Sequence, residues 1–314
     1  MLKAFLIIVV GLAGDPESGK TFHKWGTQLA EASEKLGVPQ DRLVYLVDSP
    51  SEGDTHVTGK ATRDELTKAL EGVAKKAGAD DLVFMILIGH GSDDNRSAKF
   101  NLPGPDISAS ELDALFKKMP TKQIVLVNTS SASGPFVDAL SGPGRTIVTA
   151  TRNGAEHFTT LFGGYFIEAL TSPAADADKN KRVSVLEAFQ YAKTEVTRAY
   201  EREGLLATEH ALLDDDGDKE GSQDPSATGK DGRVAAVLSL GATGEDNLPA
   251  DPKLRALTLE RRDLERRVEA LRLLKDSMDP ARYSSELEKL VTAIALKTRE
   301  IRAAEGATQG APGR

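Results

Sequence analysis

The chain has 314 residues, with 48 acidic against 40 basic side chains and a net charge of −8. That balance leaves no basic footprint for nucleic acid or an anionic membrane surface as the main partner. The absence of cysteine excludes disulfides, thiolate metal sites and a cysteine nucleophile.

In chain order, short apolar runs alternate with helical patterns, the signature of a mostly parallel sheet covered on both faces. The run Ala4–Gly11 reads as a first strand, followed by a helix over Phe22–Leu36. A lysine precedes this apolar run, which resembles a short signal-peptide core, but the amphipathic pattern directly after it favours a buried strand. Leu43–Val47 is a second strand, and Arg63–Ala77 a helix with Leu66, Leu70 and Val73 on one face. Leu82–Ile88 is a third strand, then come a helix at Ser110–Lys118, a strand at Ile124–Val127 and a short helix at Phe136–Leu140. Thr146–Thr149 is a fifth strand, followed by helices near Phe162–Leu170 and Val183–Glu203 and a sixth strand at Val234–Leu240. Continuous apolar strands of the LIIVV and VFMILI kind are what burial on both faces demands.

Composition then changes. Residues 1–241 read as one α/β domain, 242–252 as a small and acidic linker, 253–304 as an antiparallel helical hairpin and 305–314 as a disordered tail. The hairpin is read from Leu257, Leu264, Val268, Leu271 and Met278, and, after Asp279-Pro280, from Tyr283, Leu287, Leu290, Ile294 and Ile301. Its apolar stripe is expected to pack on itself or on the α/β domain, with a dimerisation or partner arm as the sharper alternative. No run reaches the roughly 18–20 apolar residues of a membrane span, so a membrane partner is not expected. The chain as it stands reads as soluble and cytoplasmic, or as exported had a signal been removed.

Sites in such sheets lie at the carboxyl ends of the strands. The third strand runs into Gly89-His90-Gly91-Ser92, and the fourth into Asn128-Thr129-Ser130-Ser131-Ala132-Ser133-Gly134. A histidine on one tip can face a nucleophile on the next, and small residues leave backbone N–H groups free for a developing oxyanion.

At these residues the chain resembles the caspase-like, legumain-type cysteine peptidases, with their legumain, gingipain and metacaspase relatives. These carry His-Gly after the third strand and Cys-x-Ser-Gly after the fourth. The first motif is intact as His90-Gly91; the second reads Ser131-Ala132-Ser133-Gly134, with serine in the cysteine position. The resemblance spans about Lys3 to Leu240 and implies a three-layer caspase-like fold. It implies His90 as general acid or base, the Gly91 N–H as oxyanion donor and Ser131 at the nucleophile. It also implies a substrate pocket whose loops include Thr151, Arg152 and Glu156. A hydroxyl is a far weaker acid than a thiol, and serine nucleophiles need a base that is itself oriented by a third group. No acidic residue is assignable to that role from sequence. The expected function is therefore a peptidase homologue with its chemistry reduced or lost and a peptide- or protein-binding crevice retained. An active peptidase using Ser131 and His90 is the alternative.

Two further motifs compete. Gly14-Asp15-Pro16-Glu17-Ser18-Gly19-Lys20-Thr21 matches the phosphate-binding pattern G-x-x-x-x-G-K-T between a strand and a helix, which would make the chain a nucleotide hydrolase. Against it, Asp15 and Glu17 place carboxylates inside a phosphate cradle, and Pro16 removes a donor. Asp176, Asp178, Asn180, Ser184 and Glu187 fall at positions one, three, five, nine and twelve of an EF-hand-like loop, with Lys181 where glycine is usual. Asp214, Asp216 and Asp218 form a second acidic cluster. No cofactor is required by this reading, and hard oxygen ligands would favour calcium in a structural role.

Overall fold

The computed structural model describes residues 3–50, 55–94, 96–240, 251–273 and 278–309. The chain divides into two units, Met1–Ala242 and Thr243–Arg314. Most of the expected linker lies outside the described residues, as do residues 310–314 of the expected tail.

The first unit is built on seven strands: β1 (Ala4–Val10), β2 (Leu43–Val47), β3 (Gly59–Lys60), β4 (Leu82–Ile88), β8 (Gln123–Asn128), β9 (Arg145–Thr149) and β10 (Leu212–Asp214). Their order across the sheet is β10-β9-β8-β4-β1-β2-β3. All neighbours are parallel except β10, which runs antiparallel to β9 with Leu212 opposite Thr149. Three short strands, β5 (Gly91–Asp93), β6 (Ala98–Phe100) and β7 (Ile107–Ser108), form a separate antiparallel sheet.

Strand β1 shows why its sequence is apolar without interruption. Side chains alternate across a strand. Leu6, Ile8 and Val10 therefore join one core with Phe22 and Leu29 of α1 (Pro16–Ala32), Phe162 and Phe166 of α5 (Phe162–Thr171) and Phe189 of α6 (Val185–Glu203). Phe5, Ile7 and Val9 join the other, with Leu66 and Leu70 of α2 (Arg63–Lys76), Leu112 and Phe116 of α3 (Ala109–Phe116) and Phe136 of α4 (Phe136–Leu140). Each large side chain so buried contributes about 1.5–3 kcal/mol.

Local chemistry sets the helix ends. Ser108 with Glu111, and Ser184 with Glu187, form capping boxes at the starts of α3 and α6. Gly204 closes α6 with φ 67°, the left-handed conformation that glycine adopts freely.

The expected six strands become seven in three corrections: Val234–Leu240 leaves the sheet, and the two-residue β3 and three-residue β10 take its two edges. Val234–Val237 is a turn, and Ser239 makes only an isolated antiparallel bridge to Ser184, so the run is not a strand of the sheet. Ala236 N–H donates to Gly232 O at 2.9 Å, Val237 N–H to Val234 O at 3.1 Å and Leu238 N–H to Val234 O at 3.2 Å. Its apolar residues Ala235, Leu238 and Leu240 are buried, but against the start of α6, where Val185 and Leu186 N–H donate to Leu238 and Ala235 carbonyls. The edge place in the sheet goes to β10, only three residues long and leading into acidic residues. Such brevity hides a strand from periodicity.

In the second unit, α7 (Pro252–Leu273) and α8 (Pro280–Gln309) share an apolar cluster of Val268, Leu271 and Leu290, with Leu264, Met278, Tyr283, Leu287 and Ile294 packed on it. Helix α8 runs to Gln309, past the expected helix end at Ala304. Among the described residues, no helix is long and apolar enough to cross a membrane.

Candidate active site

The carboxyl ends of β4 and β8 lie side by side because the strands pair in register up to Leu87 and Asn128. Beyond β4, Gly89 and His90 lead into β5. His90 is half-buried, with its ring edge-on to Phe22 at 5.3 Å between centroids and 69° between planes. Its carbonyl accepts from Asn101 N–H at 3.0 Å, tying the tip to the end of β6. Gly91 follows for a steric reason: a Cβ there would sit 2.5 Å from Ser131 O and 2.7 Å from Ser130 Oγ. Only glycine lets the histidine tip press against the serine tip.

Beyond β8 the chain is held from both sides. Thr129 donates its N–H and Oγ1 to Leu87 O, at 2.9 and 2.8 Å. Asn128 Oδ1 accepts from Ser130 N–H at 3.1 Å and from Ser130 Oγ at 2.7 Å. Ser131 comes next, almost fully buried, and Ala132 then takes φ 52°. A non-glycine residue in this region costs of order 1–3 kcal/mol and persists where its surroundings hold it. Here the Ala132 N–H donates to Glu156 O at 2.7 Å. The loop is stapled further by Gly134 N–H donating to Thr151 Oγ1 at 3.0 Å, by Thr151 N–H donating to Ser133 Oγ at 3.2 Å, and by the two hydroxyls at 3.1 Å.

The Ser131 hydroxyl is engaged by Gly91. The Gly91 N–H donates to Ser131 Oγ at 3.3 Å, and Ser131 Oγ donates to Gly91 O at 3.4 Å. Among the described residues, neither the His90 ring nor the Ser131 N–H makes a hydrogen bond. The structure therefore gathers His90, Gly91 and Ser131 at one place, without the histidine–hydroxyl bond that would activate a serine.

The three expected pocket residues separate. Thr151 is completely buried and its hydroxyl is spent on the Ser133–Gly134 turn, so its side chain supports the serine loop and does not line a pocket. Arg152 is exposed and its Nε pairs with Glu156 Oε1 at 3.1 Å. Glu156 also accepts from Arg152 N–H at 3.0 Å, from His210 N–H at 3.1 Å and meets His210 Nδ1 at 2.6 Å. Its carboxylate ties the loop after β9 to the segment before β10. Glu209, next to His210, accepts from the N–H groups of Leu161 and Phe162 at the start of α5, and burial raises its carboxyl above the usual range. His210 belongs to no motif in the sequence. Its partner Glu156 lies 54 positions away, a separation no spacing rule spans.

Asp15 was missed in a different way, since it was read only as part of the phosphate-binding pattern. Its Oδ1 accepts from Glu17 and Ser18 N–H at 3.0 and 2.9 Å, and its Oδ2 accepts from Ser18 Oγ at 2.6 Å. The Ser18 hydroxyl and then its N–H lower the Asp15 pKa, with a smaller contribution from the charge of His90. This geometry argues against the nucleotide-binding alternative. A phosphate loop needs free N–H groups ahead of its helix. Here Pro16 to Lys20 are already helical, Lys20 is exposed, and the Asp15 carboxylate occupies the donors.

The acidic loops gather as their spacing suggested, but their oxygens are engaged. Ligand atoms of Asp176, Asp178 and Glu187 fall within 4.8 Å of one another, as do those of Asp214, Asp216 and Asp218. In the first loop, Glu187 Oε1 accepts from Ala177 N–H at 2.9 Å, and Oε2 from Ser184 N–H and Oγ at 2.8 Å each. Asp176 accepts from Asn180 and Lys181 N–H at 3.0 and 2.8 Å, and Asp178 Oδ1 from Asn180 N–H at 2.9 Å. Lys181 takes φ 67° where glycine was expected to be needed. In the second, Asp214 is fully buried and accepts from Ser141 Oγ and Lys219 N–H, Asp218 pairs with Lys230, and Asp216 is exposed.

With this geometry in hand, comparison with known proteins is informative. No curated protein matches the chain. The model of the Peptidase C13 family matches residues 57–212, about half of the chain, which includes both strand tips, the loop after β9 and the start of β10. Its mostly parallel sheet between two layers of helices is consistent with the caspase-like fold. The α/β unit of this chain belongs to the caspase-like, legumain-type cysteine peptidase superfamily.

Proposed function

We propose that this chain is a legumain-type peptidase homologue that binds a peptide or protein segment in the crevice between the β4 and β8 tips and turns it over little or not at all. One observation carries the reading: the Ser131 hydroxyl bonds to the Gly91 N–H and carbonyl, and not to the His90 ring. An alkoxide equivalent forms only where a base takes the hydroxyl proton, and that base must be held by a third group. The nearby Asp15 carboxylate has its acceptors committed to the first turn of α1.

A panel of fluorogenic peptides tests this. Turnover that disappears on Ser131→Ala overturns the reading and establishes the active serine peptidase. Absence of turnover in the natural chain, with turnover appearing on Ser131→Cys, supports an intact crevice lacking only its nucleophile.

For the second unit, the finer reading is an antiparallel hairpin of α7 and α8 that brings two copies of the chain together. Its support is the shared apolar cluster, together with Val291 and Leu296, which stand exposed on α8. Sedimentation of the full chain beside a chain ending at residue 242 tests it, because an unchanged oligomeric state would remove the role.

A further inference from the structure

The tips of β4 and β8 hold more unspent hydrogen-bond donors than a hydrolytic site without its nucleophile has use for. The Gly91 N–H makes only the long 3.3 Å bond to Ser131 Oγ, which a rotating hydroxyl can release. The Ser131 N–H and the His90 ring make no hydrogen bond among the described residues. Donors placed for a developing oxyanion suit a permanent anion equally well, provided that anion has the same trigonal or tetrahedral oxygens. A carboxylate has them, and capture of a terminal carboxylate by backbone N–H groups is a recurring mode of peptide recognition.

The surroundings of the crevice give the rest of the ligand. Among the described residues of the α/β unit, the exposed large apolar side chains are Leu12, Phe158, Leu161, Leu205 and Leu206. All five fall at the carboxyl edge of the sheet. Leu12 follows β1, and Phe158 and Leu161 lie between β9 and α5. Leu205 and Leu206 precede β10, whose first residue pairs with the last of β9. The segment bearing Leu205 and Leu206 is tied to the loop bearing Phe158 through Glu156 with His210 and through Glu209 with Leu161. Apolar side chains concentrated on one edge mark an interaction surface, whereas scattered ones do not.

We propose that the crevice captures peptides by their free carboxyl terminus, with the carboxylate on the Gly91 and Ser131 N–H groups and a ring N–H of His90, and with apolar side chains just before it. The carboxylate oxygens accept from this donor set, and the apolar segments are tied to the tips: Leu12 N–H donates to Asn101 O, whose N–H donates to His90 O, and the loop that leads to Phe158 meets the serine tip where Ala132 N–H donates to Glu156 O. The chain is thereby a receptor for the products of proteolysis, not a source of them. This inference rests on the reading of the crevice as a peptide-binding site.

The test is fluorescence anisotropy on the full chain, using a fluorescein-labelled hexapeptide ending in Leu-Phe with a free carboxylate, the same peptide as its carboxyl-terminal amide, and a free acid ending in Asp-Ser. Carboxylate capture predicts that the Leu-Phe acid binds about tenfold or more tightly than its amide, the size of a charge-assisted hydrogen bond. It predicts that His90→Gln, shown to be folded by its thermal melt, erases that preference. Phe158→Ser is expected to weaken the Leu-Phe acid toward the level of the Asp-Ser acid. Equal affinity for acid and amide overturns carboxylate capture and leaves peptide binding standing. An acid preference that survives His90→Gln also overturns the proposal. Failure of every peptide to bind the folded chain overturns both this inference and the crevice reading beneath it.

Discussion

Gly91 meets Ser131 twice, giving its N–H to the hydroxyl at 3.3 Å and taking the hydroxyl proton on its carbonyl at 3.4 Å. Two long bonds to one backbone unit hold the side chain at the tip of β8 without activating it. A cysteine thiolate in the same place needs no bonded base in the ground state once its proton is lost.

Ser131→Cys supplies the sole thiol of a chain that has none, so its reactivity reports one position. A free thiol ionises near 8.5, and a neighbouring imidazolium moves that down. The expected outcome is alkylation by iodoacetamide with a pH midpoint below that of a free thiol, returning toward it in the Ser131→Cys, His90→Ala double variant. A midpoint unaffected by His90→Ala would show that the two tips are not coupled.

Gly91→Ala tests the steric contact between the tips. The added Cβ would lie 2.5 Å from Ser131 O, a backbone atom that cannot rotate away. Overpacking of this kind costs about 1–3 kcal/mol. Urea unfolding is expected to show that loss, with peptide affinity falling alongside it. Gly72→Ala is the matched control, since nothing lies within 4 Å of its added methyl, and helix propensity predicts a stability unchanged or slightly raised.

How far the sequence carried the structure depends on the range of the interactions involved. Strands β1, β2 and β4 were legible to within a residue, because burial on both faces leaves continuous apolar runs. The His90 and Ser131 tips were legible as the ends of such runs. The Glu156–His210 pair was not, because its partners meet only when β10 returns antiparallel beside β9. Val234–Leu240 misled, since an apolar run reports burial and not the backbone conformation that achieves it. Ser184-x-x-Glu187 misled in another sense: the spacing read as positions nine and twelve of a calcium loop is also that of a capping box, and the helix start uses it so.

Asp15 bears directly on the phosphate-loop motif. Its carboxylate fills the donors that a nucleotide would need, so ATP is expected to leave the melting temperature of the natural chain unchanged, and Lys20→Ala to change neither stability nor peptide binding. Asp15→Ala, in contrast, removes the cap of α1 and is expected to lower the melting temperature. The sign of its pH dependence follows from the lowered pKa: the stabilisation is present at neutral pH and fades as pH falls through the folded-state value. A nucleotide-dependent rise in melting temperature that Lys20→Ala abolishes would reinstate the phosphate site.

The segment that follows β10 carries the clearest titration. Asp231 is almost fully buried, with Oδ1 accepting the Asp215 N–H at 3.1 Å. Burial first, and then the charges of Asp216, Asp214 and Asp215, push its carboxyl up to about 6 from an ordinary 3.8. The folded state therefore binds a proton more tightly than the unfolded chain, and the sign follows. Asp231 leaves stability intact below about pH 4 and removes it progressively as pH rises to about 6, for a total of about 3 kcal/mol. Asp231→Asn keeps the acceptor for the Asp215 N–H and removes the charge. It is expected to raise stability at pH 7 by up to that amount and to flatten the slope between pH 4 and 6. Urea midpoints measured across that range check both effects. A variant that retains the natural slope would place the titration on another carboxylate of the cluster.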